Sequence, residues 1–275
     1  MNRTGHDQGG FTLVELALVL TIVGLLIGGI LKGREMIENA RVTSTVAQVK
    51  SYEASVTAFY DMFNMMPGDM ANATDRIAGC TAACNAPVAT ADDQIVGSKN
   101  WTTSGLWDAQ MSGPLNGSPS SDVGAETQLF WVHLLKSDMV SGVTDAPLRA
   151  GSPLAWGESH PSSRVGGGFV AGYSDGATPP GSAVSNTTDG LFGTVLVLHQ
   201  SITAGLVTTS GTQPLTPARA AQIDRRMDDG LPHSGFVRAY GVTASCYNTA
   251  ANTRYMETIA SNDCGLIFRI HAPPL

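Results

Sequence analysis

Charge is scarce in this chain. Only 14% of its 275 residues are Asp, Glu, Lys or Arg, against the ~25% of ordinary soluble domains. Disorder maintained by charge repulsion is therefore not expected. The 16 Lys and Arg against 23 Asp and Glu leave a net charge of −7, and there is no dense basic run. A phosphate backbone is held by clustered cations, so the composition argues against nucleic acid as the main ligand. Catalytic signatures are missing too. Six histidines (His6, His133, His160, His199, His233, His271) show no H-E-x-x-H or related spacing. No G-x-S-x-G elbow occurs, and Gly166-Gly167-Gly168 lacks the G-x-G-x-x-G spacing and reads as a hairpin or loop. An enzyme is not expected. His133 and His199 lie in apolar runs and read as hydrogen-bonded core residues.

What the chain does have is one long apolar run. Phe11–Leu31 holds 21 residues, of which only Thr12, Glu15 and Thr21 are polar. As a helix it would be about 31 Å long, the thickness of a hydrocarbon core. The run is longer than a secretory h-region, and no A-x-A-like site follows it. Glu15 is its only charge. A carboxylate in hydrocarbon costs ~2–3 kcal/mol or more at mid-membrane and less near an end. Such an acid either snorkels to the headgroups or has a partner.

The stretch Gly9-Gly10-Phe11-Thr12-Leu13-Val14-Glu15 resembles the prepilin processing site of type IV pilins and type II secretion pseudopilins. The resemblance implies that prepilin peptidase cuts between Gly10 and Phe11, discards residues 1–10 as a leader and N-methylates Phe11. Cleavage would free an ammonium on Phe11, which Glu15 of a neighbouring subunit can neutralise. A misaligned pair would leave both charges unpaired, so the contact would set register. The partners implied are other pilin subunits and a pilus or type II secretion assembly machinery. The location implied is the bacterial inner membrane, single-pass with the head outside the cytoplasm, then an extracellular pilus or periplasmic pseudopilus. Lys32, Arg34 and Arg41 beyond the span outnumber Arg3 before it, which by the positive-inside count points the other way. The processing motif outweighs that count. Gly24, Gly28 and Gly29 are small enough to let helices approach closely.

The helix is expected to continue to residue 66. Val42, Val46, Val49, Tyr52, Val56, Phe59 and Phe63 recur at steps of three and four, one apolar stripe, and Pro67-Gly68-Asp69 marks the end. Residues 67–275 form the head. Ala71–Pro119 and Ser141–Asp189 read as long loops or short strands, with a buried helix over Glu126–Val140 between them. Phe169–Tyr173, Gly193–His199, Phe236–Val242 and Leu266–His271 read as strands of an antiparallel sheet. Thr216 as N-cap, Pro217 at the first helical position and Gly230 beyond the end mark a further helix. The expected class is α+β: a long N-terminal helix, its first half (11–31) spanning the membrane, packed on a globular head, a pilin-like lollipop. Met66–Ala73 and Leu215–Pro232 also resemble parts of large pilin-like heads.

Four cysteines, Cys80, Cys84, Cys246 and Cys264, allow three pairings. Their C-x₃-C and C-x₁₇-C spacings do not suit zinc, and an exported domain favours disulfides. Cys80–Cys84 and Cys246–Cys264 are the pairs expected, the other pairings staying open; a C-terminal disulfide loop is also what the resemblance implies. Asp224, Asp228 and Asp229 read as a solvated helix end, with calcium the lesser alternative; no other cofactor is expected. Trp101, Trp107 and Trp156 sit in polar surroundings. Each either pins a loop to the core or, for Trp101 and Trp107, stacks on a ligand such as a sugar. The function expected is a structural subunit of a type IV pilus-like filament, a minor or large pilin. A type II secretion pseudopilin and a carbohydrate-binding adhesin are the alternatives.

Overall fold

The computed structural model describes residues 12–86, 96, 124–145, 148, 154–175, 191–202, 209–242, 244–248 and 254–271. The leader, Gly10, Phe11, Trp101 and Trp107 lie outside them. The chain divides into two compact units, the first ending at Arg41 and the second beginning at Val42.

The first unit is helical. Helix α1 spans Leu13–Phe63, and every residue from Leu13 to Leu31 is exposed. It is long and apolar enough to cross a membrane. A helix that exposes Leu, Ile and Val on all sides has no core-facing stripe, so it needs lipid or other helices around it. Just beyond this run the charges pair locally, Lys32 with Glu35 at 2.7 Å and Arg41 with Glu38 at 3.4 Å.

In the second unit α1 changes character. Val42, Thr45, Val49, Tyr52, Ser55, Val56, Phe59 and Phe63 are buried, a single stripe at helical spacing. The helix stops at Phe63, three residues short of the expected end. Asn64 adopts a left-handed φ of 53° while its N–H still bonds the Tyr60 carbonyl at 2.7 Å. Asparagine tolerates that conformation, so an αL cap ends the helix before Pro67 is reached.

Four strands form one sheet: β1 (Gly168–Asp175), β2 (Phe192–His199), β3 (Val237–Gly241) and β4 (Cys264–His271). Their order is β1-β2-β4-β3, and every neighbouring pair is antiparallel. Register sets Val170 opposite Val197 and Leu196 opposite Phe268. Phe169, Leu196, Leu198, Val237, Leu266 and Phe268 join the main core with the α1 stripe. Val170, Val195, Val197, Tyr240 and Ile267 form a second cluster. Both faces are thus buried, which is why β2 reads as a continuous apolar run instead of alternating.

Three further α-helices complete the described fold: α2 (Ala73–Arg76), α3 (Gly124–Lys136) and α4 (Pro217–Met227). Helix α3 begins and ends earlier than its expected limits of Glu126 and Val140. Leu129, Phe130, Trp131, Val132 and Leu134 are all buried, so it is a core helix. Trp131 meets Tyr52 of α1 edge to face at 5.1 Å, and Tyr52 meets Phe169 of β1 at 5.6 Å. Helix, sheet and α3 share that aromatic contact. The expected cap of α4 is present, with Thr216 accepting the Arg219 N–H at 3.4 Å. The class is α+β.

Candidate functional site

The N-terminus of α1 carries the first arrangement of interest. Thr12 precedes the helix, and Glu15 is its third residue. The Glu15 carboxylate accepts the Thr12 N–H at 2.9 Å and the Thr12 hydroxyl at 3.0 Å. In return the Thr12 hydroxyl accepts the Glu15 N–H at 3.3 Å. This is a capping box, which satisfies two otherwise unpaired donors of the first turn. The carboxylate also sits where the helix dipole favours an anion. Thr12 is a residue that reading for charge alone overlooks; the T-x-x-E spacing ahead of an apolar run is its signal.

The four cysteines are paired. Cys80 joins Cys84 across 5.6 Å between Cα atoms, beside a 3₁₀ turn over Ala82–Cys84. Cys246 joins Cys264, the first residue of β4, across 5.1 Å.

The acidic cluster differs from its expected form. Asp224, Asp228 and Asp229 each present an oxygen within 4.8 Å of the others; Asp224 is completely buried, Asp228 is half-buried and Asp229 is exposed, so the solvated helix end expected here does not extend to Asp224. The Asp224 oxygens accept from the Gly230 N–H at 3.2 Å and the Tyr255 hydroxyl at 2.8 Å. One Asp228 oxygen accepts the N–H groups of Phe236 and Val237. Asp229 accepts the Leu231 N–H at 2.8 Å and the Ser234 hydroxyl. Burial, and then its two acidic neighbours, push Asp224 up to about 7 against the pull of those hydrogen bonds. Arg238 of β3 lies within the field of all three carboxylates. These bonds clamp the turn from α4 to β3.

Trp156 is half-buried beside Leu154 and Ile202 against the second cluster, and its indole N–H donates to the Gln200 carbonyl at 3.0 Å. It pins its loop. The sugar-stacking reading rested on Trp101 and Trp107, which lie outside the described residues.

Residues 5–31, which contain the Thr12–Glu15 cap and the exposed apolar run, match the family described as the prokaryotic N-terminal methylation motif. This is the prepilin signal of type IV pilins and pseudopilins, and it supports a type IV pilin-like or pseudopilin-type protein. No curated protein and no solved structure matches the chain.

Proposed function

We propose that the protein is a structural subunit of a type IV pilus-like filament, a minor or large pilin, and not an enzyme. Prepilin peptidase cuts it between Gly10 and Phe11 and methylates Phe11. The subunit waits in the inner membrane with its head, residues 67–275, outside the cytoplasm, then polymerises through α1. Assembly exchanges lipid for helix contacts, with Gly24, Gly28 and Gly29 allowing close approach; a Cβ at any of the three would meet nothing within 4 Å. In the filament the Glu15 carboxylate pairs with the Phe11 ammonium of the adjoining subunit.

The observation that carries this reading is the capped carboxylate at the head of an apolar helix exposed on every side, inside the matched motif. Among the described residues Glu15 bonds only to Thr12, and its charge awaits a counterion. A type II secretion pseudopilin would carry the same motif, with a periplasmic destination. Mass spectrometry of the mature protein tests the proposal. Phe11 should be the first residue and carry one methyl group, whereas an intact Met1 in cells with active peptidase overturns it.

A further inference from the structure

The second unit has a cavity of about 350 Å³ on the flank of α1, lined among others by Gln48, Ser51, Tyr52, Ser141, Ser162 and Arg164. Its walls are held in place. Gln48 donates from Nε2 to the Ser162 carbonyl at 3.1 Å. The loop that carries Arg164 is closed by the Ser163 N–H on the Gly167 carbonyl at 2.9 Å and by the bridge between Ser162 and Gly168. Gly167 has φ +61°, and a Cβ there would come within 1.9 Å of the His199 carbonyl, so the loop is seated tightly on the end of β2. The opposite wall is tied to α1 by the Ser55 hydroxyl, which donates to the Met139 carbonyl at 2.9 Å.

The lining is mostly polar and carries one sign of charge. Among the described residues no Asp or Glu lines the cavity. Arg164 is exposed and makes no ion pair with any described residue. The Gln48 Oε1 also has no hydrogen-bond partner. Burial pushes the Tyr52 pKa up to about 12, so its hydroxyl stays protonated beside Gln48 and Arg164. A guanidinium binds a carboxylate through paired, charge-assisted hydrogen bonds. The serine hydroxyls and the Gln48 amide suit a partner that both donates and accepts. The volume falls at the small end of ligand sites, the scale of a single sugar ring, and the polar lining does not suit a lipid.

We propose that this cavity binds a hydroxylated carboxylic acid of the uronic-acid type, its carboxylate on Arg164 and its hydroxyls on Ser51, Ser162 and Gln48. The acid is either a free sugar acid or a residue of an acidic polysaccharide. The site stands apart from the filament reading and depends on none of its steps.

The test is calorimetric titration of the detergent-solubilised full-length protein with glucuronate, glucose and N-acetylglycine. Glucuronate should bind saturably and glucose should not. N-acetylglycine, which has the carboxylate without the ring hydroxyls, should bind at least about tenfold more weakly. Arg164→Gln should weaken glucuronate binding about tenfold or more, the worth of one charged hydrogen-bonded contact. Ser51→Trp, a substitution at an exposed helix position, should fill the cavity and abolish binding. An oligogalacturonate that binds more tightly than galacturonate identifies the polysaccharide as the source; equal affinities identify the free acid. The proposal is overturned by any of three results: no saturable glucuronate binding, unchanged affinity in Arg164→Gln with a native circular dichroism spectrum, or equal binding of N-acetylglycine.

Discussion

Gly68 donates its N–H to Nδ1 of His133 at 2.8 Å, and Nε2 of the same ring lies 2.8 Å from the Cys84 carbonyl. A backbone N–H can only donate, so Nδ1 is the acceptor and Nε2 carries the proton to Cys84. One neutral imidazole therefore ties the turn after α1 to the Cys80–Cys84 loop. A Cβ on Gly68 would meet the Glu126 carbonyl at 2.3 Å, so the turn is also pressed against α3. Burial holds the His133 pKa down to about 4.

This arrangement has a definite pH consequence. Unfolded, the ring has a pKa of about 6.5, so below that pH the unfolded chain takes up a proton that the folded one refuses. The contribution is complete above about pH 6.5, falls as pH drops towards about 4, and is exhausted below. His133→Gln should lower the melting temperature at about pH 8 and flatten its acid fall, as measured by thermal unfolding at several pH values. If the fall stays equally steep, His160 and His233 carry it, their pKa values held by burial at about 3 and about 4.

Asp224 acts in the opposite direction. Its pKa is raised, so its protonated form favours the fold. That contribution is present below the ordinary carboxylate range and is lost as pH rises through about 7. Asp224→Asn, neutral at every pH, should therefore melt higher than the native protein at about pH 8 and close to it at about pH 4. Paired melting curves at the two pH values check the sign.

The two disulfides should differ in weight. Cys246–Cys264 spans 18 positions and Cys80–Cys84 only 4. Chain entropy assigns the longer loop ~3 kcal/mol and the shorter one less. The longer loop also contains Tyr255, which donates its hydroxyl to the buried Asp224. Replacing Cys246 and Cys264 together by Ala should lower the urea midpoint more than the same change at Cys80 and Cys84.

Glu15→Ala should leave membrane insertion intact, because it removes the only charge from the apolar run. It should also remove the carboxylate half of the Thr12 cap and the counterion offered to a neighbouring subunit. Immunoblots of membranes and of sheared filaments should show normal membrane levels and a severalfold loss from filaments. Equal incorporation would mean that the carboxylate sets no register.

Much of this architecture is legible without coordinates. The apolar run, the stripe from Val42 to Phe63, the Thr216-Pro217 cap and the four strand segments depend on residues close in sequence. Hydropathy, helical spacing and cap chemistry report such features directly. The expected end of α1 overshoots the observed one by three residues because Pro67 is a strong stop signal and masks the weaker one at Asn64.

What lies far apart in the chain behaves differently. Asp224 reads as a surface acid beside Arg225 and Arg226, yet Tyr255, from the far side of the Cys246–Cys264 loop, covers it and makes it one of the most buried carboxylates described. His133 reads as an apolar-run histidine, but its two partners come from 65 and 49 positions away. Gln48 and Arg164 share a cavity only because the loop before β1 docks on α1. By itself the sequence determined the membrane-length helix, the processing motif and the positions of the strands, since these follow from local pattern. Only the tertiary structure decided the strand order, the buried carboxylate and the polar cavity, because burial and electrostatic environment are set by whichever distant segment excludes the water.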